Sequence, residues 1–74
     1  MTTLSMAVQS RAVQALQQSS HPALRSLAVQ ETDGFIIISG HVSSYYLKQL
    51  AQETIMPVRG QLELVNRISV VKDR

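Results

Sequence analysis

The residues of this 74-residue chain with the most chemical potential are His21 and His41, together with Ser39, Ser43 and Ser44, which stand close to His41 in sequence. A serine becomes a nucleophile when a base takes its proton, a third group orients that base, and hydrogen-bond donors await the oxyanion. No orienting acid or oxyanion donor accompanies His41, and neither histidine has a second ligand-type residue at metal-site spacing. Both read as surface or turn histidines. Gly34 and Gly40 do not form a phosphate loop: there is no GxxxxGK or GxGxxG, and the two glycines bracket an apolar run instead of opening a helix. They are turn and packing glycines, so catalysis, a metal, a cofactor and a small-molecule substrate are all outside the expectation.

Binding chemistry has more to work with. Arg11, Arg25, Lys48, Arg59, Arg67 and Lys72 are scattered, and the aromatics are Phe35, Tyr45 and Tyr46. Charge interleaved with stacking platforms is therefore not evident, nor is the GxxG loop of an RNA-binding KH domain, and a weak nucleic-acid binder ranks last among the readings. Tyr45 and Tyr46, with Lys48 close by, form a candidate contact for an anionic phospholipid surface, where amphipathic rings and a cation are favoured. The simpler reading has Tyr46 flanking the core and Tyr45 on the surface, since local charge is low. Seven basic and five acidic residues give a formal charge of +2, and charged residues make up only 16% of the chain, against about 25% in ordinary proteins. Glutamine and serine fill the polar surface instead, and such surface resists burial in a contact less than charge does.

Length bounds the rest. The sequence reads as one domain, residues 1–74, and a chain this short buries only roughly 60% of its unfolded surface, so its stability is modest. There is no cysteine, which removes disulfides and thiolate metal sites and leaves oligomerisation as the remaining staple for a small domain. Met1-Thr2-Thr3-Leu4-Ser5-Met6 has neither a basic stretch nor a sustained apolar one, so the sequence suggests a cytoplasmic protein without a signal or membrane span.

The elements follow from periodicity. Leu4, Val8, Ala12, Ala15 and Leu16 recur at three- and four-residue spacing, which predicts an amphipathic helix from residue 3 to about 18, capped by Thr2, Thr3 or Ser5. Ser19-Ser20-His21-Pro22 ends it. A first strand is expected over Leu24 to Gln30, with Leu27 and Val29 on its apolar face. Glu31-Thr32-Asp33-Gly34 forms the turn, its Asp-Gly pair supplying the positive dihedrals of a tight hairpin. Phe35 to Val42 is the one unbroken apolar run and belongs at the centre of a sheet, with Ile36, Ile38 and Val42 on one face and Phe35, Ile37, Ser39 and His41 on the other. Gly40 marks a close approach or a bulge. Ser43 or Ser44 caps a second helix with inner stripe Leu47, Leu50, Ala51, Thr54, Ile55 and Val58, which Pro57 and Gly60 stop. Leu62 to Val71 is the third strand, with Leu64, Ile68 and Val70 on one face, and Lys72-Asp73-Arg74 is a charged tail.

The second strand, second helix and third strand make a right-handed βαβ unit. The expected fold is thus α+β: a three-stranded mixed sheet in order 1-2-3 with two helices on one face, in the order α-β-β-α-β; the alternative puts strand one in the centre of an antiparallel sheet. Because two helices cover one face only, Ala28, Phe35, Ile37, Val65 and Val71 are expected to point away from them together. Exposed apolar patches mark contact sites, so these five residues are the candidate surface for self-association or for another protein, by sheet-face or edge-strand pairing. The opposing possibility is a strand slip, a bulge or the C-terminal tail covering the patch.

The same residues resemble the BON domain family over almost the whole chain. The pieces that carry the resemblance are His21-Pro22-Ala23-Leu24, Leu27-Ala28-Val29, Gly34, Ile36, Ile38-Ser39-Gly40, Val42, and Ser43-Ser44-Tyr45-Tyr46-Leu47-Lys48-Gln49-Leu50-Ala51. Gly60, Leu64, Asn66, Ile68 and Val70 complete the series. The resemblance implies a bacterial, non-enzymatic α-β-β-α-β module that binds phospholipid surfaces or proteins, usually in the cell envelope. Three features depart from the family's pattern: Gln61 follows the glycine where an apolar residue is common, Ile37 stands where a small polar residue is frequent, and no export signal is evident.

Overall fold

The computed structural model describes residues 8–72. Helix α1 spans Val8–Gln17, α2 Pro22–Arg25 and α3 Tyr45–Ile55; the strands are β1 Ala28–Thr32, β2 Phe35–Val42 and β3 Glu63–Val70. A 3-10 turn, Met56–Val58, links α3 toward β3. The fold is α+β, and its three-stranded sheet runs in the order β1-β2-β3, with β1 antiparallel and β3 parallel to β2. β2 is the central strand, with β1 paired along one edge and β3 along the other. The all-antiparallel alternative with the first strand in the middle is therefore excluded. The first five residues of the expected helix and its caps Thr2, Thr3 and Ser5 lie outside the described residues, as do Asp73 and Arg74.

Thr32 pairs with Phe35, leaving a two-residue loop of Asp33 and Gly34. Both have positive φ, 42° and 87°, the conformation that fits the strand twist of a tight hairpin. The turn is thus two residues shorter than expected, and Glu31 and Thr32 belong to β1.

The beginning of the first strand also differs. Leu24 is not in a strand but in the one-turn helix α2, where it is fully buried. Pro22 was expected only to end the preceding helix; its fixed φ equally suits the first turn of a new one. The Leu24 N–H donates to the His21 carbonyl, and the Ser26 hydroxyl donates to the Ala23 carbonyl. Arg25 Nη1 donates to the Ser19 carbonyl at 2.8 Å, and Gln17 Nε2 donates to the Arg25 carbonyl at 2.9 Å, tying α2 to the end of α1. The strand can begin only once this turn has delivered Leu24 to the core.

One core joins the three helices to β2 and β3, through Ala12 and Leu16 of α1, Leu24 of α2, Ile36, Ile38 and Val42 of β2, Ala51 and Ile55 of α3, and Ile68 of β3, and Val29 of β1 packs against it half-buried. Ser44 is the N-cap of α3, its hydroxyl accepting from the Leu47 N–H at 3.2 Å. Leu47, Leu50 and Val58 pack against the core at its margin, while Thr54 turns its hydroxyl to the Leu50 carbonyl. Every buried residue of β2 is on the side of the sheet that meets the helices; among the described residues no helix lies on the other side.

Candidate protein-contact surface

The uncovered side of the sheet is built by alternation along the strands, and the register decides which of its side chains touch. On β2 the outward residues are Phe35, Ile37, Ser39 and His41, while Ile36, Ile38 and Val42 are buried. Ile37 stands between Gln30 of β1 and Val65 of β3. Phe35 stands between Thr32 and Glu63, and Ser39 between Ala28 and Arg67. Phe35, Ile37 and Val65 are therefore contiguous, and Ala28 borders them diagonally across from Ile37. Val71 lies one residue past the end of β3, roughly 20 Å along the chain from Val65 and beyond Ser69, so the register that sets Ile37 opposite Val65 separates it from the patch. Phe35 and Val71 are 39% and 53% exposed, whereas Ile37 and Val65 are half-buried by their neighbours in the sheet.

Gly40 occupies an inward position on β2 with φ 136°. What approaches it is Leu27, just ahead of β1, and not a helix: a Cβ at Gly40 would lie 2.8 Å from Leu27 Cδ2. The close approach seats Leu27 against the core without pushing β1 away.

The two edges of the sheet are finished differently. At β1, the Glu31 N–H donates to Gln9 Oε1 at 3.2 Å, and the Gln9 N–H donates to Glu31 Oε1 at 3.1 Å. The carboxylate thereby accepts a backbone N–H of α1. This reciprocal pair lays α1 over that edge. At β3 the device is Asn66, an inward-facing polar residue among Leu64, Ile68 and Val70. Its Oδ1 accepts from the Ile68 N–H at 3.0 Å, and its Nδ2 donates to the Lys48 carbonyl and to Gln52 Oε1, each at 3.3 Å. Sequence reasoning assigned Asn66 no role in the site, although a polar residue interrupting an apolar alternation was the available signal.

The other candidate contact lies at the start of α3. Tyr45 and Tyr46 are 69% and 65% exposed, so Tyr46 does not flank the core as expected. Its ring instead meets His21 edge-on, with centroids 6.2 Å apart and planes at 74°. Tyr45 and Lys48 border a shallow groove of about 280 Å³ whose remaining lining is Gln49, Gln52, Glu53 and Asn66. With one cation, one carboxylate and three amides, that groove has no dominant charge for an anionic headgroup.

His41 is exposed on the uncovered face with Ser69 beside it, and His21 lies on the opposite side of the sheet near α3. The structure does not bring the two histidines together. Among the described residues no group of three or more His, Cys, Asp or Glu side chains could hold a metal ion. No helix among them is long and apolar enough to cross a membrane. No family model matches the chain, and neither the curated proteins nor the solved structures give a match to it.

Proposed function

We propose that this chain is a non-catalytic, BON-like binding and assembly module that associates with a second copy, or with another protein, through the uncovered face of its sheet. The observation that carries this reading is the contiguous patch of Phe35, Ile37 and Val65 opposite the helices, with Ala28 at its border. The α-β-β-α-β order of the main elements supports the BON-like part of it. Covering a large apolar side chain is worth about 1.5–3 kcal/mol, which gives a reason for this face to be occupied. Three strands of up to eight residues present roughly 350 Å², well below the roughly 800 Å² per partner of a stable interface. Association through this face alone is accordingly weak and concentration-dependent.

Sedimentation equilibrium up to millimolar protein tests the proposal. Ile37→Thr keeps the β-branched shape but places a hydroxyl in the patch, a loss of about 1 kcal/mol per copy. A symmetric pair loses this twice, so the dissociation constant should rise roughly thirtyfold. A chain that stays monomeric throughout, with Ile37→Thr behaving identically, defeats this reading. The second reading, contact with anionic phospholipid around Tyr45, Tyr46 and Lys48, draws on the exposure of both rings. Flotation with anionic vesicles that is lost in Tyr45→Ala and Lys48→Ala would favour it over protein contact.

A further inference from the structure

β3 is an edge strand whose backbone direction can be read from its ends. The Glu63 N–H donates to the Gly34 carbonyl and the Val71 N–H to the Val42 carbonyl, both toward β2. Backbone groups alternate sides along a strand, so the odd-numbered residues face β2 while Leu64, Asn66, Ile68 and Val70 face the open edge. Two positions on this side are already engaged. The Ile68 N–H is held by the Asn66 side chain. Before the strand, Leu62 donates its N–H to the Arg59 carbonyl and accepts from Arg59 Nη1 at its own carbonyl. Between these two blocks stand Leu64 and Asn66, consecutive edge-facing residues flanking Val65.

We propose that two copies of this chain pair β3 to β3, antiparallel about a twofold axis at Val65. In that register Leu64 of each copy exchanges both backbone hydrogen bonds with Asn66 of the other, and Val65 lies opposite Val65 in the closer, non-hydrogen-bonded position. The side chains argue for the same register. Glu63 and Arg67 lie on the uncovered face on either side of Val65, so Glu63 of each copy stands directly opposite Arg67 of the other. Within one strand these two residues are about 13 Å apart, so the complementarity is realised between copies. In this register the next edge-facing pair, Leu62 opposite Ile68, is engaged on both sides, so the ladder consists of the four bonds between Leu64 and Asn66. An axis at Asn66 or Arg67 instead sets the engaged Ile68 N–H against Leu64 or Asn66, an axis at Leu64 or Glu63 sets the engaged Leu62 against Asn66 or Leu64, and an axis at Arg67 or Glu63 also opposes like charges.

The product is a continuous six-stranded sheet. Its uncovered face carries the apolar row Ile37, Val65, Val65 and Ile37 across the axis and is about twice as wide as that of one copy. Edge pairing uses a different surface from the face contact proposed above and holds whether or not that face is covered.

Amide hydrogen exchange on the full chain, measured residue by residue at micromolar and millimolar concentration, separates the two. Edge pairing slows exchange at Leu64 and Asn66 at least tenfold on association and leaves Ile68, already bonded, unchanged. Arg67→Glu abolishes that protection by placing Glu63 against a second carboxylate, and the swap Glu63→Arg with Arg67→Glu restores it to within about threefold. Both sites are exposed, so the variants fold. Association that Ile37→Thr weakens while Leu64 and Asn66 exchange at their dilute rates overturns edge pairing and leaves the face contact standing. Protection that survives Arg67→Glu, or that the charge swap does not restore, overturns the register.

Discussion

Ile38→Ala lowers the unfolding free energy by about 3 kcal/mol and the thermal midpoint by roughly 15 °C. Ile38 is fully buried at the middle of the central strand, with Val29 on one side and Asn66 on the other in the ladder, and it belongs to the single core shared by the helices and the sheet. Truncating it removes three carbons from a site that the strands on either side prevent from collapsing, so a cavity remains and its cost adds to the lost transfer energy. A domain of this length has on the order of 4–11 kcal/mol in total, so the change takes a third or more of it in most of that range. The adjacent Ile37→Ala, on the other face, costs under about 1 kcal/mol at dilute protein, because the side chain it shortens is already partly in water. Urea denaturation of the two variants below the association range measures the contrast. Equal losses would mean that the two faces of β2 are not distinguished as described.

Gly40→Ala is expected to cost about 2–3 kcal/mol by a different mechanism. With φ at 136°, the backbone is in a region that side-chain-bearing residues rarely adopt, and strain of this kind costs about 1–3 kcal/mol. The new Cβ also falls 2.8 Å from Leu27 Cδ2 and 3.6 Å from Leu27 Cα. The Cα distance is an ordinary van der Waals contact, so the cost falls on the methyl, which can swing aside only by leaving the core it packs against. Repeating the substitution in a Leu27→Ala background removes the methyl contact and keeps the backbone strain. The cost of Gly40→Ala should then fall to about 1–2 kcal/mol, a coupling that a double-mutant cycle in urea reads directly. A neutral Gly40→Ala would contradict both terms.

The inward and outward sides of β2 were legible because an eight-residue strand offers enough alternation to fix its phase, and the Asp33-Gly34 corner announced itself by residue type. The order of the main elements followed from the same periodicities. Helix α2 was hidden because four residues are too few for a helical period, and because Leu24 also continues the alternation of Leu27 and Val29 backwards. Pro22 suits a helix start as well as a helix end, and only the need to bury Leu24 chooses between them. Among the candidate contact residues, alternation could name the face but not the row. It grouped Val71 with Phe35 and Ile37, and only the parallel register with β3 places it beyond Ser69. The Gln9 and Glu31 pair joins residues 22 positions apart, and the reach of Asn66 to Lys48 spans 18, so neither has a local signature.

The central claim is that the uncovered face of this sheet, around Phe35, Ile37 and Val65, is met by protein in solution. Its most direct measurement is the solvent relaxation of the Ile37, Val65 and Phe35 side-chain protons by a soluble paramagnetic probe, recorded by NMR from micromolar to millimolar protein. The account predicts that these three signals lose most of their relaxation as concentration rises, while Tyr45, exposed on α3, keeps its own. Undiminished relaxation of all three at millimolar concentration would contradict it.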